Sequence, residues 1–193
     1  MQKIKTTAMA IAALAFVACG SAGKRYPDQG TKVNLTGKSV LIVAEDNASG
    51  DATAAKAFAA AVAQKVGTVK IVPSVPSAAQ GISKAYAEFG LNNNGAVDQA
   101  NAKAIALGEV LKVAASLGKF DTIIFVGAEK GSGMAVPKTI KMDLYGAVYD
   151  INSKTVTTAV TDSTTVVDTG AAAQMPLKAR DITGALLDGY GDK

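Results

Sequence analysis

Two uninterrupted apolar runs set the limits on this chain. They are SVLIVA at residues 39–44 and FDTIIFVG at 120–127. A strand with one wet face alternates apolar and polar residues, whereas a strand covered on both faces reads as a solid, β-branched run. Both runs therefore belong at the centre of a sheet that carries helices on its two sides. The residues between them supply those helices. The Ala-rich segment 51–67 begins at Asp51, which can cap it, and ends at Gly67. TVKIV at 68–72 is a second strand, stopped by Pro73 and Pro76, and residues 77–90 form a short helix. LNNNG (91–95) is a loop, and a longer helix over 96–118 repeats Val97, Ala100, Ala104, Leu107, Leu111 and Ala114 at helical spacing. Strands joined through helices must run parallel.

The second half changes period. KTIKMDLYGAVYD (138–150) sets Ile140, Met142, Leu144 and Val148 on one face and Lys141, Asp143, Tyr145 and Tyr149 on the other. The turn residues INSK and the Thr/Val strand at 155–168 complete an antiparallel hairpin, expected to keep one face wet. A helix over 175–191 closes the chain, with Pro176 near its first turn. The expected fold is a single α/β domain over 39–193, a mixed sheet in the order β-α-β-α-β-β-β-α.

The domain is preceded by something else. Lys3 and Lys5 lead into an uncharged stretch of about 13 residues, which is too short to span a bilayer and has the layout of a secretory signal. The stretch ends in FVAC, similar to the lipobox of bacterial lipoproteins, with Phe16 where an aliphatic residue is usual. That resemblance implies cleavage after residue 18 and acyl chains on Cys19, the only cysteine. A thiol consumed by a thioether can be neither nucleophile nor redox partner, so Cys19 becomes the anchor to the membrane. The alternative is an ordinary secreted protein with a chance cysteine. Residues 19–38, polar and rich in Gly, read as a tether reaching roughly 50–60 Å when extended. Cleavage removes two of the twenty basic residues, leaving eighteen against sixteen acidic, a formal charge of +2. So small a surplus, with no basic block, does not call for nucleic acid.

Chemistry is sparse. The chain has no histidine and no tryptophan, which excludes imidazole acid–base catalysis, Ser-His-Asp triads and His-ligated zinc. No cofactor or metal is expected. Four signals remain. Glu45, Asp46 and Asp51 follow the first strand, where open α/β sheets bind ligands, and their oxygens could hold a hard cation, but the spacing is not that of an EF-hand and the plainer reading is a polar loop with Asp51 as a helix cap. GAEKGSG (127–133) is Gly-rich and reads as a mobile loop rather than a phosphate-binding motif. Ser116 stands three before Lys119, the spacing of serine–lysine enzymes, but at the wrong end of a helix. Tyr145 and Tyr149, with Lys141 and Asp143, could anchor a protein partner on the wet face, or pack under the C-terminal helix.

ALGEVLKVAASLGKFDTIIFVGAEKG followed by IKMDLYGAVYDINSKTVT resembles a pattern in bacterial envelope lipoproteins. That group comprises the curli-secretion lipoprotein CsgG, the penicillin-binding-protein activator LpoB and the N-terminal domain of TolB. Gly118, Asp121, Gly127, Asp150 and Val156 occupy the matching places over roughly residues 100–160, while DINSK lacks the Gly that often closes the hairpin turn there. The resemblance implies a non-catalytic domain docking to other envelope components, and no contact residue carries over. Gly20 after the cysteine favours the outer membrane, facing the periplasm. The expected function is thus a lipid-anchored envelope lipoprotein binding a protein partner or supporting an assembly. The alternatives are a small-ligand or cation-binding lipoprotein and, last, an exported hydrolase using Ser132.

Overall fold

The computed structural model describes residues 23–27, 31–46, 53–93, 95, 103–131, 139–167 and 171–189. In chain order the elements are β1 (Lys24–Tyr26), β2 (Val40–Asp46), α1 (Thr53–Val66), β3 (Val69–Ile71), a 3-10 turn at Ser77–Ala79 and α2 (Ile82–Asn92). There follow α3 (Lys103–Leu117), β4 (Thr122–Gly131), β5 (Thr139–Asp150), β6 (Thr155–Val167) and α4 (Ala171–Asp188). Among the described residues one six-stranded sheet runs β1-β6-β5-β4-β2-β3. β2 is parallel to β3 and β4, whereas β4, β5, β6 and β1 pair antiparallel in turn. The mixed α/β sheet expected from the sequence is the fold observed.

The two solid runs occupy β2 and β4, side by side with Ile42 opposite Ile124, and the sheet is covered on both faces. On one face Phe58 and Val62 of α1 and Ile182 and Leu186 of α4 pack on Ile42, Ile124, Val126 and Val148. On the other, Tyr86 of α2 and Val110 of α3 pack on Leu41, Val43, Ile123, Phe125 and Tyr149. Two glycines let helices sit low. A Cβ on Gly146 would stand 3.0 Å from the ring of Phe58, and one on Gly90 of α2 would stand 2.5 Å from the Ala159 Cβ. Each marks a place where sheet and helix meet without room for a methyl group.

Five expectations are corrected. The hairpin has no wet face along its middle, because α2 lies over the Tyr145–Tyr149 side. Residues 20–38 are not a free tether throughout: β1 pairs with Ala159–Thr161 of β6. Val33 N–H donates to the Leu187 carbonyl at 2.8 Å, and Val33 and Leu35 pack against the core. β4 runs on to Gly131, so the GAEKG part of the expected loop is strand, paired with Lys141–Tyr145. The buried face of α3 is Ala106, Val110 and Ala114, with Ala104 exposed and Leu107 and Leu111 half-buried; Val97 and Ala100 lie outside the described residues. α4 starts at Ala171, which places Pro176 inside it.

Candidate functional site: a charged groove beside α2

α2 owes its position to one carboxylate. Glu45, 4% exposed at the end of β2, accepts the Gly81 N–H and, through its second oxygen at 3.0 Å, the Ser83 N–H. A negative charge at the first turn satisfies orphan N–H groups and complements the helix dipole. Gly81 precedes the helix at φ +77°, a left-handed conformation that suits glycine. The Ser83 hydroxyl donates to the Val126 carbonyl at 3.2 Å, tying the same turn to β4. Glu45 is therefore a structural cap within the sheet rather than a loop ligand. Asp46 ends β2 with its backbone opposite Ala128, and Asp51, Ser132 and Cys19 lie outside the described residues. Among the described residues no three His, Cys, Asp or Glu side chains are grouped to hold a metal ion.

Further along α2 the polar groups converge. Lys84 Nζ lies 2.7 Å from Glu129 Oε2 and 5.4 Å from the centre of the Tyr145 ring. The Tyr145 hydroxyl donates to the same Glu129 oxygen at 2.9 Å. Hydrogen bonding to Glu129 pushes the Lys84 ammonium well above the usual lysine range, and the bond from Lys84 holds Glu129 below the usual carboxylate range. Burial, aided by the bond to Glu129, pushes the Tyr145 phenol up to about 12. Asp143 accepts the Ser163 hydroxyl and pairs with Lys141 Nζ at 3.1 Å. Asp143, Tyr145 and Ser163, with Lys24 of β1 and Glu88 and Asn92 of α2, line an open groove of about 400 Å³.

Three of the four residues expected to bind a partner are thus brought together, with Lys141 exposed and joined through its pair with Asp143. Tyr149 is not with them. It is 4% exposed, edge-on to Tyr86 at 5.3 Å, so it packs under α2 and not under the C-terminal helix. The sequence reading missed Lys84, Glu88 and Glu129. The alternation of the third strand carried past Gly127 would have put Glu129 on the α2 side, but the Gly-rich stretch read as a loop. Ser116 only donates to Val113 within its helix, at 2.7 Å.

The places that carried the resemblance have structural roles. Asp121 accepts the Ser39 N–H at 2.9 Å, joining the starts of β2 and β4. Asp150 holds the hairpin turn: one oxygen accepts the Asn152 and Ser153 N–H groups at 3.0 and 2.9 Å, and the other meets Lys38 Nζ at 2.9 Å. The Ser153 N–H, then Lys38, pull Asp150 down to about 2. Lys154 takes φ +57° in this turn, where a glycine would sit without strain.

No protein-family profile and no curated protein sequence matches the chain. Among solved structures the fold is similar to the PelC dodecamer from Paraburkholderia phytofirmans, with TM-score 0.52 at 12% identity over 88% of this chain and 99% of that one. A single-substitution variant of that dodecamer gives TM-score 0.51 at 11% identity, covering 87% and 98%. The hypothetical protein CT253 from Chlamydia trachomatis gives TM-score 0.36 at 11% identity, covering 79% and 97%. None of the three is named as an enzyme, and at such identities what this chain shares with PelC is the fold.

Proposed function

We propose that the chain is a lipid-anchored envelope lipoprotein whose domain acts by docking to protein partners, using the groove between α2 and β1. The observation that carries the docking is the geometry beside the groove: Lys84 Nζ and the Tyr145 hydroxyl meet the same Glu129 oxygen at 2.7 and 2.9 Å, and Lys141 pairs with Asp143 at 3.1 Å. Paired charges and a tyrosine hydroxyl fixed by a carboxylate suit recognition of a protein surface. Lys141, Asp143 and Tyr145 are the proposed contacts, and Tyr149 is released from that role. The layout of residues 1–19 supports the anchor at Cys19, and the outer membrane is the proposed site. The PelC fold occurs in a dodecamer, which supports a domain that works within an assembly.

A groove of this volume also falls in the range of small-ligand sites. A photo-crosslinker at Lys141, used in native membranes, separates the two readings. Reproducible capture of one envelope protein, lost on Asp143→Lys, is expected. The same labelling pattern with Asp143→Lys, or no adduct beside a small molecule that raises the melting temperature, overturns the docking reading. Intact-mass analysis of the native product tests the anchor, since a free thiol at Cys19 or a retained leader removes it.

A further inference from the structure

We infer that the β1 edge of the domain is seated on the headgroup layer of the bilayer that holds the anchor. The inference rests on lipidation at Cys19 and adds an orientation to it. Its first ground is the length of chain left over. β1 begins at Lys24, where its partner is Thr161 in the middle of β6. The strand is then locked. Arg25, 7% exposed, donates from Nε to the Ala185 carbonyl of α4 at 2.6 Å, from one terminal nitrogen to Thr31 O at 2.6 Å, and from the other to Pro27 O. Together with the Val33–Leu187 hydrogen bond, this ties the N-terminal segment to the last helix. Cys19 and Lys24 are five residues apart. Five peptide steps span at most about 18 Å, about a third of the reach expected of a free tether.

The second ground is the width of the sheet. β1 and β3 are its opposite edges, and five interstrand gaps separate them by about 24 Å. A leash shorter than the sheet is wide, attached at one edge, keeps that edge at the membrane. The third ground is what the two edges expose. Lys24, Glu88, Asn92 and Asn93, all polar, are exposed near β1, while the β3 edge exposes Ile71 beside Lys70. Charged and amide side chains suit the headgroup layer rather than the acyl interior. The occupant of this edge is therefore the lipid surface itself. The groove, lined in part by Lys24, then opens beside the membrane, and its partner must approach along the membrane plane.

The test uses full-length lipidated protein in vesicles containing a headgroup-nitroxide lipid. With Cys19 acylated, a cysteine introduced by Asn92→Cys or Ile71→Cys is the only free thiol, and each carries the same fluorophore. Quenching at position 92 is expected to exceed that at position 71 by about threefold or more, given the separation of the two edges. A Gly/Ser insertion after Ala22 should erase the difference. Equal or reversed quenching overturns the orientation, and quenching unchanged by the insertion overturns the leash as its cause. Intact mass of the same sample separates the cases: acylated protein with equal quenching defeats the seat alone, and unacylated protein defeats both.

Discussion

The two faces of the sheet hold their helices by different means. At the centre of the α1/α4 face contact is by volume: the Phe58 ring fills the space above Gly146, flanked by Leu186 and Val160. On the α2 face the helix is attached by polar groups and by near contact of backbones. Glu45 binds its first turn, Ser83 bonds to β4, Lys84 reaches Glu129, and Gly90 lies almost on Ala159. Volume contacts resist removal of atoms and tolerate small rotations. A carboxylate held by two N–H groups fixes one position and one orientation. The face that must present a defined groove is the one built from the directional contacts.

Phe58→Ala tests the volume-packed face and should have the largest effect, a loss of about 3–5 kcal/mol in denaturant unfolding. An unfolding midpoint that hardly moves would mean that α1 is held by something other than that ring. Next comes Glu45→Gln, which leaves one N–H facing an amide NH₂. A loss of about 1.5–3 kcal/mol is expected, with hydrogen exchange rising in α2 before α1 and α4. Uniform exchange across all the helices would erase the distinction between the faces.

The smallest effect should have the opposite sign. Alternation from Val160 puts Asp162 on the α4 side, where burial raises its carboxyl above the usual range against a bond from Ser163 N–H and the charge of Lys178. A raised folded value means that the folded state binds the proton more tightly. The associated stability is complete below the unfolded value and is lost as pH rises through the folded one. Asp162→Asn should therefore raise the melting temperature at neutral pH, by about 0.5 kcal/mol or less in stability, and match the parent in strong acid. A variant less stable at neutral pH would show that the ionised form is favoured there.

How far the sequence told this in advance depends on the range of the interaction. The solid runs of β2 and β4 and the alternation of β5 are local, and the strands follow from them. The division of β5 into two faces was also legible, since Tyr145 and Tyr149 do share the α2 side. Whether that side was wet was not, because it depends on α2, whose low seat is hinted at only by Gly90. β1 was hidden for a similar reason. Lys-Arg-Tyr before a proline has no strand pattern, and Arg25 becomes buried only because three carbonyls distant or near in sequence meet its guanidinium. Glu45 read as a ligand because an acidic residue after a strand looks the same whether it will meet a cation or a helix start.

The guanidinium of Arg25 has a mechanical consequence. Any pull on the N-terminal residues enters the domain at Lys24 and passes through three strand pairs and one side chain into β6 and the final helix. The first and last segments of the fold thus share a load path, with the Val33–Leu187 hydrogen bond behind it. Trimming the last turn of α4 would loosen the front of the protein, although nothing at the front had been cut.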